Sequence, residues 1–221
     1  MSTLRFLYRD RWLVAVDKPP GLLVHRTAIA DAEDFALQRV REQVGARVYA
    51  IHRLDRPTSG VLVFGRSREA AAAVSRQFEE RRVGKRYLAV VRGWPDEQGS
   101  IDYPLSESAG RPPRPAVTRY RVLARAELPV AVGRYATSRY ALAEVTPVTG
   151  RYHQIRRHFH HICHPIVGDT THGEGRHNRF FRDRFGVRRL LLHAASLTLF
   201  HPMTMADLCL RAPLDEQWRR L

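Results

Sequence analysis

The apolar residues of this chain arrive in short, strand-length runs bounded by turn residues, and nothing else in the sequence constrains the fold as strongly. Leu4–Tyr8 and Trp12–Val16 flank the polar turn Arg9–Asp10–Arg11 and predict a hairpin. Val61–Phe64 reads as a buried strand. Lys85–Arg92 alternates, with Tyr87, Ala89 and Val91 on one side and Leu88 and Val90 on the other. Val117–Leu123, Arg139–Val145, Leu190–Leu192 and Ser196–Phe200 are further strands. Helical spacing is rarer. It predicts a short helix in Asp34–Val44 ended by Gly45, and one capped by Ser67, running to about Arg82 and closed by Gly84. A third spans Tyr152–Ile162, with Ile155, Phe159 and Ile162 inward, and a terminal one spans Pro213–Leu221. Ser106–Pro115 (SESAGRPPRP) and Gly168–Phe185 read as loops. Strands outnumber helices without regular βαβ alternation. The expected class is therefore α+β, a mostly antiparallel sheet flanked by helices and loops. A chain of 221 residues fits a single domain over 1–221 on the usual scale of about 100–200 residues per domain.

Charge narrows the partners. There are 37 Lys+Arg against 22 Asp+Glu, a net charge of +15, which favours a polyanion, most simply a nucleic acid. Lysine occurs only at Lys18 and Lys85; the other basic residues are arginine, whose planar fork binds phosphate and stacks on bases. Cys163 and Cys209 make no disulfide framework and no CxxC. The charged N-terminus lacks a signal-peptide core. The longest uncharged stretch, Leu190–Ala206, is interrupted by histidines and a proline, which argues against a membrane span. The expected setting is cytoplasmic.

Four segments carry chemistry. His52–Gly60 (HRLDRPTSG) places Asp55 between two arginines on a turn before a buried strand, where a carboxylate serves as nucleophile or base, or caps the turn. Gly150–His158 leads a glycine into a helix whose first turns carry His153, Arg156 and Arg157, with Arg151 just before. This is an anion site, one half of a carboxylate ion pair, or a solvated basic helix face. Lys85–Arg86–Tyr87 offers a ring to stack on a base and a hydroxyl to exchange protons. The cluster His158, His160, His161, Cys163 and His164 invites a metal, but His160, His161 and Cys163 cannot share one helix face and there is no HExxH or nearby carboxylate, so no metal is expected.

Together these strings resemble the RluA family of pseudouridine synthases over nearly the whole chain. AVDKPPGLLVH (Ala15–His25), HRLDRPTSG, KRYLAVVRG, TGRYHQIRRH and the late LLLHAASLTLFHP match the family's motifs in order. The resemblance implies that Asp55 is the catalytic aspartate, that Tyr87 and Arg156 join it in catalysis, and that no cofactor is needed. It implies a lone catalytic domain without a preceding S4 domain, and no obligate protein partner. RNA contacts are then expected from Arg53, Lys18, Lys85, Arg151, His153 and Arg157, and from the 168–189 loop. VGRYATSRY (Val132–Tyr140) and the stretch after Arg156 resemble the subgroup that modifies uridine 65 of tRNA. A ribosomal RNA synthase and a non-catalytic RNA-binding protein are the alternatives. Isomerisation breaks N1–C1′, turns the flipped base and rejoins it through C5. Asp55 is expected to attack C1′, add to C6 or remove the C2′ proton. Arg156 would supply counter-charge, Arg53 fill the vacated stack, and Leu192 floor the pocket.

Overall fold

A computed structural model describes residues 3–25, 34–107 and 110–221. The described chain forms two compact units: Met1–Lys85 with Ala194–Pro213, and Arg86–His193 with Leu214–Leu221.

The first unit starts with the expected hairpin, β1 (Arg5–Arg9) and β2 (Leu13–Lys18). Asp10 makes its turn, accepting the backbone N–H groups of Trp12 and Leu13. Helix α1 (Ala36–Val44) ends, as predicted, on Gly45 at φ 68°. The short β3 (Tyr49–Ala50) leads to β4 (Ser59–Gly65), buried at every position. Helix α2 (Arg68–Glu79) is capped by Ser67, whose hydroxyl accepts from the Ala70 N–H. Strand order is β1-β2-β4-β9, where β9 is Leu192–Phe200. The strand β10 (Asp207–Arg211) lies on β9, and β3 on β4. The core gathers alternate residues of these strands, Leu13, Ala15, Val61, Val63, Leu197 and Leu199, with Val74 of α2. Each valine or leucine among them contributes roughly 1.5–3 kcal/mol when fully buried.

The second unit has the order β5-β8-β7-β6. Its strands are β5 (Gly84–Arg92), β6 (Gln98–Asp102), β7 (Val117–Leu128) and β8 (Ser138–Pro147), paired antiparallel throughout. The alternation of β5 works as predicted. Ala89 and Val91, with Tyr87, pack on one face under Ile155 and Phe159 of α3 (Gln154–His161). Val90 and Leu88 pack on the other with Phe181 of α4 (Gly175–Phe185) and Trp218 of α5 (Glu216–Arg219). Helices thus cover both faces of this sheet. The expected α+β class holds, and the strand pairs β1·β2, β2·β4, β3·β4, β5·β8, β6·β7, β7·β8 and β9·β10 are antiparallel.

Four expectations need correction. Gly168–Phe185 is not all loop: α4 occupies its second half, capped by Glu174, which accepts from the His177 N–H. Gly84 does not close α2. The helix stops at Glu79, and Arg81 takes the left-handed turn (φ 58°) with Arg81 N–H on the Phe78 carbonyl and Arg82 N–H on that of Gln77. That is a Schellman end built without glycine. Leu190–Leu192 and Ser196–Phe200 are not two strands; Leu192–Phe200 is one. The terminal helix covers only Glu216–Arg219. Of the Ser106–Pro115 loop, Ser108 and Ala109 lie outside the described residues. Its base is closed by reciprocal Leu105–Arg114 backbone bonds, so it joins β6 to its neighbour β7. Among the described residues, no helix is long and apolar enough to cross a membrane.

Candidate active site

Asp55 sits half-buried on the turn that feeds β4. Its carbonyl accepts the Thr58 N–H at 3.0 Å, which closes the turn. The arm leading in is held by His52. Its Nε2 accepts the Val63 N–H at 3.1 Å, and its ring stacks on Phe78 at 4.8 Å. Burial and, secondarily, the charge of Lys85 push the His52 pKa down to about 4. The ring is therefore neutral at pH 7, as an acceptor nitrogen requires.

The arm leading out is held by Lys18. Its ammonium donates to the carbonyls of Pro19, Leu22 and Arg56 at 2.9, 2.8 and 3.2 Å, and the residue is fully buried. Lys18 is opposite Gly60 in the β2·β4 register. Gly60 has φ +111°, and a Cβ there would collide with the Ala194 carbonyl; no other residue fits. Gly21 and Arg56 add a reciprocal pair, Gly21 N–H to the Arg56 carbonyl at 2.8 Å and Arg56 Nε to the Gly21 carbonyl at 3.0 Å. The KPPG turn is thus a bracket for the residue after Asp55.

Lys18, expected from the sequence as an RNA contact, is fully buried beneath these carbonyls. Arg53, two residues before Asp55, is exposed. Lys85 is half-buried, and its pKa is lowered to about 8 by burial and then by the charge of Arg81.

Tyr87, Arg151, His153, Arg156 and Arg157 belong to the second unit. Tyr87 packs on the cluster that holds Ile155 and Phe159, and Leu192 lies in the same cluster, a core position. Arg156 is 3% exposed and gripped by Asp169, Nε to Oδ2 at 2.7 Å and Nη2 to Oδ1 at 2.8 Å. Burial works to raise the Asp169 pKa, but Arg156 and the N–H groups of Thr171 and His172 hold it below its ordinary value. Asp169 was missed in the sequence. It lies thirteen residues beyond its partner, where no spacing rule points to it.

The start of α3 is pinned by Gln154, also missed. Its amide donates to the Val117 carbonyl and the Thr118 hydroxyl, both at 2.9 Å, and its Oε1 accepts from Arg151 N–H and the Thr149 hydroxyl. His153 takes φ 52° there, with its ring on Tyr152 at 3.7 Å and Nδ1 3.0 Å from His172. Arg157 donates to the Ser106 carbonyl at 2.8 Å and Arg151 to that of Pro115 at 3.3 Å. Both arginines therefore brace the β6–β7 loop. The histidines go separate ways: His158 Nε2 is 3.0 Å from the Tyr103 carbonyl, His161 stacks on Tyr103, and His164 Nδ1 is 2.8 Å from the Arg92 carbonyl.

This construction can be set beside other proteins. Residues 12–161 match the family model described as RNA pseudouridylate synthase. The chain is 49% identical to the tRNA pseudouridine synthase C of Vibrio cholerae, over 99% of this chain and 94% of that one. It is 48% identical to the protein of that name from Salmonella typhi, over 99% and 88%. Among solved structures it is similar to human RNA Pseudouridylate Synthase Domain Containing 1, with TM-score 0.74, 28% identity, and 96% of this chain and 84% of that chain covered. For human RNA Pseudouridylate Synthase Domain Containing 4 the values are 0.73, 25%, 98% and 90%. A turn built to present one aspartate, inside a match of this length, fits one conclusion: the chain belongs to the RluA-type pseudouridine synthases.

Proposed function

We propose that this enzyme isomerises a uridine of tRNA, uridine 65, to pseudouridine, with Asp55 as the essential group. The reading is carried by the 49% identity, end to end, with a relative named for tRNA. The reaction breaks N1–C1′, forms C1′–C5, releases the C5 proton and places a proton on N1. Atoms balance without a redox partner or group donor, so the chain's own side chains suffice.

The bracket of Lys18, His52 and Gly60 supports Asp55 as the reacting group, because a carboxylate on so fixed a turn is held for attack. Arg156 is proposed to supply positive charge to the reacting group, oriented by Asp169. Tyr87 is proposed to stack on the uracil and assist proton removal at C5. Arg53 is proposed to enter the space the flipped base leaves; extrusion costs about a few kcal/mol. Arg151, His153, Arg157 and Lys85 are proposed as RNA contacts, the first and third with the loop they brace. A tRNA substrate supports cytoplasmic work.

Asp55→Asn is expected to abolish conversion while tRNA binding persists, read by pseudouridine mapping and by gel shift. Normal pseudouridine formation by that variant breaks the mechanism. Mapping total RNA from cells with and without the protein tests the substrate: loss at tRNA position 65 supports it, and loss in ribosomal RNA redirects it.

A further inference from the structure

At the end of β5 and β8 away from Tyr87, the second unit carries a half-open cleft of about 760 Å³. Tyr87 pairs with Val145 and Arg92 with Tyr140. The cleft therefore begins five residues along the strand from Tyr87, about 17 Å at 3.3–3.4 Å per residue. It is walled by Arg92, the β7–β8 turn and the first residues of α4.

Four arginines line it: Arg92, Arg134, Arg139 and Arg176. Glu174 is the carboxylate among the lining residues, and it pairs with Arg176 at 3.2 Å and His177 at 3.3 Å. Arg139 pairs with Glu127 at 3.1 Å. Among the described residues, Arg92 and Arg134 have no carboxylate within ion-pair distance. Arg92, half-buried, and Arg134, exposed, therefore leave positive charge in the cleft for an anion to meet.

Aromatic rings stand beside these cations. Tyr135 is 64% exposed, with the Arg134 guanidinium 4.8 Å from its ring centre. Trp94, at the rim of β5, has Arg139 4.4 Å from its ring. A solvated ring next to guanidinium groups is how proteins hold single-stranded nucleic acid: the base stacks and the phosphate takes the charge. Most of the turn comes from VGRYATSRY, a string that the chemistry at Asp55 leaves unused.

We propose that this cleft is a second RNA site, taking a phosphodiester on Arg92 and Arg134 with the neighbouring base stacked on Tyr135. It rests on the reading that the substrate is RNA, and it grips that substrate about 17 Å along β5 from Tyr87, the ring proposed to stack on the uracil. A small anion needs the arginines but not the ring, and an acidic peptide has no base to stack.

The test uses the full chain with Arg134→Ala/Tyr135→Ala, both exposed in the turn, and separately Arg92→Gln. Binding to tRNA is followed by fluorescence anisotropy across a salt series, beside steady-state conversion. Affinity is expected to fall about tenfold, and the slope of log affinity against log salt to shrink by about 0.7–0.9 per phosphate contact removed. KM should rise with kcat within about twofold. Unchanged affinity and unchanged slope in both variants overturn the site. Inorganic phosphate or pyrophosphate competing as strongly as RNA makes it a small-anion pocket and overturns it too. If the wild-type chain converts no tRNA uridine yet the variants lose RNA affinity as stated, the tRNA reading falls while the cleft stands.

Discussion

Two buried cations, one in each unit, are held in opposite ways. Lys18, in the first unit, is fully buried on carbonyl oxygens of Pro19, Leu22 and Arg56. Arg156, in the second, is 3% exposed and clasped by the Asp169 carboxylate. The ammonium is a compact point charge that gathers carbonyls from several directions; the guanidinium is a flat fork that one carboxylate can orient. Lys18 therefore shapes backbone, and the residue it shapes is the neighbour of Asp55. Arg156 is itself aimed. The difference predicts that the first arrangement fails through geometry and the second through charge.

Breaking the ion pair should have the largest effect. Asp169→Ala leaves a guanidinium buried beside uncapped N–H groups of Thr171 and His172. A loss of about 3–5 kcal/mol is expected, from two N–H groups left unsatisfied at roughly 1–3 kcal/mol each and from the lost charge-assisted bonds, read as a lower denaturant midpoint. Asp169→Asn, which keeps an acceptor oxygen, should recover part of it. Lys18→Met comes next. It strands buried carbonyls at roughly 1–3 kcal/mol each, less where Gly21 still serves Arg56. Its mark is kinetic: kcat/KM should fall about a hundredfold, as for a reacting group moved by about 1 Å, while tRNA affinity holds. Affinity falling in step with turnover would show that Lys18 acts on RNA after all.

A smaller effect appears with pH. His52 has a folded pKa near 4 against an ordinary 6.5. The unfolded chain therefore takes up the proton first, and stability rises with pH across that window. Its contribution is complete above about pH 6.5 and is lost as pH falls towards 4. His52→Gln, whose amide oxygen can still accept from Val63, should flatten the midpoint-against-pH curve between those values. An unaltered curve would mean that another group controls the window.

The parts of this design that were legible share a property: their signal is local. The hairpin around Asp10, the two-faced alternation of Tyr87–Val91 and the inward stripe Ile155–Phe159–Ile162 are each written in neighbouring residues. So is the turn that carries Asp55. What escaped is either non-local or masked. Asp169 meets Arg156 across a loop, and Lys18 meets Arg56 across two strands. Helix α4 (GRHNRFFRDRF) hides its apolar stripe, Phe181 with Phe185, among arginines. Strand β6 buries only Ile101, too little for an alternation.

The end of α2 joins these themes and sets the smallest effect. Sequence preference places a glycine where a helix turns left-handed, yet Arg81 occupies that position at φ 58° and Gly84 lies three residues on, in β5. A side chain there costs roughly 1–2 kcal/mol relative to a relaxed backbone, and the Schellman bonds to Phe78 and Gln77 offset it. Arg81→Gly should therefore stabilise the chain by about 0.5–1 kcal/mol, glycine's greater unfolded-state freedom taking back part of the gain. The same substitution removes a positive charge that helps hold Lys85 at about 8. The Lys85 pKa should move up, keeping the ammonium charged to higher pH, and RNA affinity should decline less between pH 7 and 9 than in the unaltered chain. Stabilisation without that shift would separate the two roles: Arg81 would then be a strained helix end alone, and Lys85 would owe its lowered pKa to burial.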